Sequence, residues 1–376
     1  MVQQRMHKRT KKQSGMQPIV IKVGTNVIAG PQNLLDHDRM RDLVRQIAIL
    51  HQQGIKVVFV SSGAVGAGRG VVHLPKNMDT VTQRQIFAAV GQIELVNVYR
   101  ALFQEHGIVA AQVLVTKEDF RDRRHYLNMR NCFAGLITQQ IIPIVNENDV
   151  VSVTELMFTD NDELSGLIAS MLRAERLLIL TNVNGVYDGH PKLASSSVIS
   201  VIEPSASLSK EAWSKMLSPE KSQFGRGGMI TKAGIAEKLA AEGIAVHIVN
   251  GLEQGIILDV IRGQRVGTTF VPHDETSGVK RWISHSEGHE KAVITINAGA
   301  RSALLSGTRA ASVLPVGITQ IDGVFAKGDI IKIIDEVGTL IGYGMAQYTS
   351  SKALESLGKQ RQKPLVHYDH LVLMQR

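Results

Sequence analysis

The run Pro18-Ile19-Val20-Ile21-Lys22-Val23-Gly24-Thr25-Asn26 decides the reading of the fold. A short segment rich in β-branched side chains, bounded by a proline and a glycine, reads as a strand. Apart from one lysine it is apolar throughout rather than alternating, so both of its faces are expected to be covered, as in a parallel sheet between helices. The same signature returns at Val57-Val58-Phe59-Val60 and at residues 111–115, 141–145, 177–180 and 246–249. Between these runs lie stretches of helical character at 82–105, 124–139, 162–172 and 231–242. Strand–helix alternation implies right-handed crossovers and parallel pairing. The expected fold is therefore α/β, a three-layer αβα sandwich with a mostly parallel central sheet, spanning residues 17–271.

The character changes on either side of that region. Residues 272–290 are polar and read as a linker. Across 291–376, short β runs at 293–296, 330–334 and 340–343 are split by Gly-rich turns, which reads as a small β-rich domain. Residues 1–16 carry Arg5, Lys8, Arg9, Lys11 and Lys12 with no apolar stretch after them, unlike a secretory signal. A solvated, disordered basic tail is expected there, with a nucleic-acid arm, or a true start at Met6 or Met16, as alternatives. The net charge of +8 over 376 residues permits an anionic ligand or RNA, but much of the excess sits in that tail. The single cysteine, Cys132, excludes an intrachain disulfide and a Cys-based metal site, and fits a reducing, cytoplasmic location. No apolar run approaches the roughly 18–20 residues that span a bilayer, so no membrane partner is expected.

In parallel α/β sheets, ligands bind at the carboxyl ends of the strands. A lysine inside an apolar strand is costly unless its charge is used or paired, and Gly24-Thr25 follow Lys22 at once, which suits a phosphate. A snorkelling strand-end lysine is the plain alternative. Ser61-Ser62-Gly63-Ala64-Val65-Gly66-Ala67-Gly68 lets backbone approach a ligand and can open a helix toward an anion, or is an ordinary turn with a serine cap. Asn146-Glu147-Asn148-Asp149 is a substrate-recognition turn or a solvated loop. Thr159-Asp160-Asn161-Asp162-Glu163 holds more carboxylates and amides than one helix cap requires. Gly225-Arg226-Gly227-Gly228-Met229-Ile230-Thr231-Lys232 ends in a lysine at a helix start, a natural phosphate cradle, or else forms a flexible surface loop.

As an ordered set, these segments resemble the amino-acid kinase family, with Leu180-Thr181 a further match, and in particular its glutamate-phosphorylating branch. The stretch after Lys291 resembles a PUA domain, a small β-barrel-like module, through Leu314-Pro315-Val316-Gly317-Ile318 and Gly323-Val324-Phe325-Ala326-Lys327-Gly328-Asp329. The resemblance implies ATP-dependent phosphorylation of the γ-carboxylate of L-glutamate, with Mg²⁺, as the first step toward proline. It implies that Lys22 and Lys232 meet the transferring phosphoryl and that Asp162 holds the two lysines together. Ser62, Asp149, Asn161 and Asn146 are implied to grip the amino acid. Gly24, Thr181, Asn182, Arg226, Gly227, Gly228, Met229, Ile230 and Thr231 are implied to lie by the nucleotide, together with both lysines. No residues are expected to form a dedicated metal site. Two positions depart from the family pattern: Asn182 stands where an aspartate is usual, and Arg226 where a threonine is usual. Inhibition by proline, a homo-oligomer (dimer or tetramer) and RNA at the PUA-like module are further implications. Another carboxylate or carbamate kinase, or an RNA-binding protein with a relic first domain, are the competing readings.

Overall fold

The computed structural model describes residues 17–30, 34–75, 77–152, 160–189, 193, 195–203, 228–273, 283, 290–306 and 311–374. The expected tail, nearly all of the expected linker, and the site candidates Arg226 and Gly227 lie outside the described residues. The chain divides into two units, Met1–Phe120 with Leu127–Glu275, and Arg121–Tyr126 with Thr276–Arg376.

The first unit is built on an eight-stranded sheet. Its strands are β1 (Ile19–Val23), β2 (Val57–Ser61), β3 (Ala110–Val115), β4 (Ile142–Glu147), β5 (Arg176–Thr181), β6 (Val201–Ile202), β7 (Ala245–Asn250) and β8 (Thr268–Phe270). They lie in the order β3-β4-β2-β1-β5-β7-β8-β6, and every neighbouring pair is parallel except β7 with β8. The chain lays β2, β4 and β3 to one side of β1 and then crosses to β5 on the other, so β1 and β5 flank a topological switch point. The apolar runs that read as covered on both faces are buried in β1, β2 and β4. β3 departs from that expectation, because it is an edge strand with Leu114 exposed and Val109 exposed just before it.

Seven helices serve the argument: α1 (His37–Gln52), α2 (Ala64–Val71), α3 (Thr80–Gln104), α4 (Arg123–Thr138), α5 (Asn161–Leu172), α6 (Met229–Ala241) and α7 (Ile256–Ile261). Aspartates cap three of them: Asp36, Asp79 and Asp160 accept backbone N–H bonds from Arg39, Thr82 and Asp162. Alternation along β1 divides the two layers. Ile19, Ile21 and Val23 share a core with Met40, Leu43 and Ile47 of α1, Leu95 and Tyr99 of α3, and Ile257 of α7. Lys22 projects from the opposite face, where α5 packs on β1 and α6 packs on α5.

α3 is the one helix among the described residues long and apolar enough, by length and composition, to cross a bilayer. It crosses α2 at very close range through glycines. A methyl group at Gly91 would stand 1.8 Å from the Ala64 carbonyl oxygen, and one at Gly68 would stand 1.9 Å from that of Phe87. Gly91→Ala must therefore separate two backbones, and it is expected to cost roughly 1–3 kcal/mol or more. Urea melts of the purified variant check this.

Burial also sets a pH dependence. His247 of β7 is enclosed, with Nδ1 3.1 Å from the Thr269 hydroxyl, and burial followed by the nearby Arg176 charge pulls its pKa down to about 3. The unfolded chain takes up that proton near pH 6.5. Its contribution to stability is thus complete above pH 6.5 and is lost as pH falls toward 3, by about 1.4 kcal/mol per pH unit. His247→Gln should lose about 2 kcal/mol less stability than the parent between pH 6.5 and 5, read from urea midpoints at both pH values.

The second unit is a five-stranded sheet in the order β10-β9-β11-β12-β13, from β9 (Ala292–Ile296), β10 (Ile318–Gly323), β11 (Ile330–Asp335), β12 (Leu340–Ala346) and β13 (Val366–Leu373). β9 and β11 pair in parallel and the other neighbours are antiparallel. Its core includes Ile294, Ile296, Ile331, Ile333 and Val366. Asn297 caps the helix Ala298–Leu305 by accepting from the Ala300 N–H at 2.9 Å.

Candidate active site

The sheet brings together three ionised groups that are far apart in the chain. Asp162, in the first turn of α5, is fully buried. Its Oδ1 lies 2.5 Å from Lys22 Nζ of β1, and its Oδ2 accepts a 2.6 Å hydrogen bond from Lys232 Nζ of α6. Lys22 and Lys232 are themselves only 4% and 8% exposed. Burial would push the Asp162 carboxyl up, yet the two ammonium groups hold it well below the usual carboxylate range. For Lys232, burial pulls downward, but Asp162 and then Asp160 outweigh it and raise its pKa above the ordinary value. Asp160 goes the other way: burial, then the Asp162 charge, push it up to about 7. Like charges converging on one place need a counter-charge, and here two lysines share one.

Beside this trio is a web of amides and hydroxyls. Asn161 Nδ2 donates to Ser62 Oγ at 2.8 Å and to Asn146 Oδ1 at 2.9 Å. One amide thereby joins the ends of β2 and β4 to the start of α5. Ser62 sits in the tight turn into α2, where Gly63 adopts φ +107 and a side chain would meet Ile28. Asp149, just past β4, accepts a 2.6 Å bond from Arg84 Nη2 of α3.

The residues expected beside a nucleotide lie at the ends of β1 and β5 and at the start of α6. The Gly24 N–H donates to the Leu180 carbonyl at 3.2 Å, and a methyl group at Gly24 would stand 3.6 Å from Lys22 Nζ. What the position supplies in this structure is a bare backbone beside the ammonium, with its own N–H engaged by β5. Thr181 ends β5 and is nearly buried, while Asn182 is exposed. Gly228 is the N-cap of α6 with no side-chain cap bond, followed by Met229, exposed Ile230, Thr231 and Lys232. The start of α6 thus offers backbone N–H groups one turn before a buried ammonium, an arrangement that attracts a phosphate.

Sequence reasoning missed the contribution of α3. Gln92 Oε1 accepts from Asn146 Nδ2 at 2.8 Å, and Gln85 Nε2 donates to the Val150 carbonyl at 2.6 Å. With Arg84, these side chains tie the end of β4 and the turn after it to a helix. The signal was polar residues within a helix otherwise rich in apolar ones, which a solvent-facing stripe would produce equally well.

Two buried ammonium groups share one carboxylate at the carboxyl edge of a parallel sheet, with a helix start that has no side-chain cap bond alongside, and such an arrangement suits an anionic phosphate. The amino acid kinase family profile matches residues 17–250, and the PUA domain profile matches residues 292–367. The chain belongs to the amino acid kinase family, and it is a kinase with a C-terminal PUA domain. It is 52% identical to the glutamate 5-kinase of Chlorobaculum tepidum over 95% of this chain and 97% of that one. It is 51% identical to the glutamate 5-kinase of Bacteroides thetaiotaomicron, covering 94% and 98%. Among solved structures, carbamate kinase from Giardia lamblia bound to AMP-PNP aligns with a TM-score of 0.51 at 18% identity, over 69% of this chain and all of that one, a likeness of fold.

Proposed function

We propose that this chain transfers the γ-phosphoryl group of ATP to the γ-carboxylate of L-glutamate, giving γ-glutamyl 5-phosphate, the step that opens proline synthesis. The observation that carries this reading is the Lys22–Asp162–Lys232 trio, in a chain whose relatives over nearly its whole length are glutamate 5-kinases. A carboxylate is already deprotonated at neutral pH, so the chemistry needs no strong base. It needs relief of repulsion between an anionic nucleophile and an anionic phosphate. Lys22 and Lys232 face the transferring group, and Asp162 fixes their spacing so that little reorganisation is required in the transition state. Ser62, Asn161 and Asn146 orient the amino acid, and Asp149 receives its α-ammonium. Gly24, Thr181, Asn182 and the loop 226–232 border the nucleotide.

No group of three or more His, Cys, Asp or Glu suited to a metal occurs among the described residues. Asp162 is committed to the lysines and Asp160 to helix N–H groups. That donor set fits Mg²⁺ only as an ion carried in on the nucleotide phosphates with its own water, where it would add positive charge to the transferring group. Proline, which shares the charged end of glutamate, would compete at the Asp149 side. A homo-oligomer and RNA at the PUA domain belong to the same reading.

The test is hydroxamate formation from ATP and hydroxylamine with glutamate, N-acetylglutamate or aspartate as acceptor. Glutamate should give by far the most product. Faster reaction with either of the others, or none with glutamate, refutes the assignment.

A further inference from the structure

The Asp149 carboxylate, placed at the amino-acid end of the site, is already occupied. Arg84 Nη2 donates to its Oδ1 at 2.6 Å, and the pair is partly open, with side chains 28% and 10% exposed. Arg84 Nε is buried and has no hydrogen-bond partner among the described residues. So the guanidinium has spent one edge on Asp149 and still has an unused donor in a place that water reaches poorly. The open side of the pair is where an anion can arrive, and a carboxylate there would complement the guanidinium donors that Asp149 leaves over.

An α-ammonium arriving alone at Asp149 would meet the positive charge of Arg84 and be repelled. A zwitterion does not meet that obstacle, since its α-carboxylate lies within one bond of the carbon that carries the ammonium. Set against an Arg–Asp pair, a free α-amino acid completes an alternating arrangement of four charges in which each is flanked by opposites. We propose that Arg84 binds the α-carboxylate of the amino-acid substrate while Asp149 binds its α-ammonium, so that the ion pair reads both charges together. α3 holds Arg84 there, and the Gln85 bond to the Val150 carbonyl fixes the turn carrying Asp149 against the same helix. Acceptors lacking either charge are then excluded, because the missing partner leaves a half-buried ion facing its like.

This inference rests on the glutamate reading above, and the experiment separates the two. KM and kcat for L-glutamate are measured for the parent, Arg84→Gln and Arg84→Lys, with isoglutamine, whose α-carboxylate is a neutral amide, as a competitor. Arg84→Gln should raise the KM for glutamate roughly 10- to 100-fold, the range for one charged hydrogen bond, with kcat changed far less. It should also narrow the gap between the glutamate KM and the isoglutamine Ki by a similar factor, and Arg84→Lys should recover part of both. A residue that merely braced the turn would weaken both ligands equally. Equal weakening, or an unchanged glutamate KM in a variant that melts like the parent, overturns the inference. A parent enzyme that makes no hydroxamate from glutamate overturns the substrate reading instead, whatever Arg84 does.

Discussion

Lys232→Ala lowers kcat for glutamate phosphorylation by about 10²–10³-fold, the loss that follows removal of one preorganised electrostatic donor. The ammonium is buried and already oriented by a 2.6 Å bond to Asp162, so it need not reorganise as charge develops on the migrating phosphoryl group. A surface lysine would cost little, because water would screen and replace it. The fold should survive the change. Asp162 keeps Lys22 at 2.5 Å as its partner, so no buried carboxylate is left uncompensated. Steady-state kinetics with glutamate saturating, beside a thermal melt, give the result. A variant with normal turnover would remove Lys232 from the chemistry, and with it the account of the site.

Asp162→Asn acts on stability as much as on rate. It keeps the shape of the side chain but takes from two buried ammonium groups the carboxylate both touch, leaving Asp160 as the remaining acid near them. Breaking a buried pair by removing one partner costs about 3–5 kcal/mol. The sign of the pH dependence is a sharper signature than the size. In the variant, burial of the Lys232 ammonium is no longer offset by Asp162, so its folded pKa falls, and it is expected to fall below that of a free lysine. The unfolded chain then binds more protons, and stability rises with pH. Urea midpoints at pH 7 and pH 9.5 should show the deficit against the parent shrinking at the higher pH. A constant deficit would mean that the lost contact was steric rather than electrostatic.

Much of the sheet could be read from the chain because burial on both faces leaves a plain trace. β1 and β2 are apolar runs whose ends the structure moves by no more than a residue. Strands with a wet face are harder. β13 mixes His367, Tyr368, Asp369 and His370 with Val and Leu, and β10 carries Thr319, Gln320 and Asp322, so neither stood out among polar neighbours. The site divides in the same way. Lys22 was conspicuous because a cation inside an apolar strand demands a reason. Its partnership with Asp162 and Lys232 depends on β1 and β5 lying side by side with α5 and α6 on one face, which local pattern does not encode. Arg84, Gln85 and Gln92 were invisible as site residues, because a polar stripe on a helix looks the same whether it faces water or a substrate turn.

The glycine crossing of α2 and α3 gives the pocket a ruler. With the two backbones in direct contact at Gly68 and Gly91, the serine turn at the head of α2 and the arginine on α3 are carried by one closely packed helix pair. The lysines are held by a different set of elements, β1, α5 and α6. The span from that pair to the lysines is therefore set by the scaffold rather than adjusted by the ligand. If the amino acid sits as proposed, one that is a methylene shorter than glutamate, seated at its charged end, would fall short of the phosphate, and selectivity for chain length would follow from that fixed span.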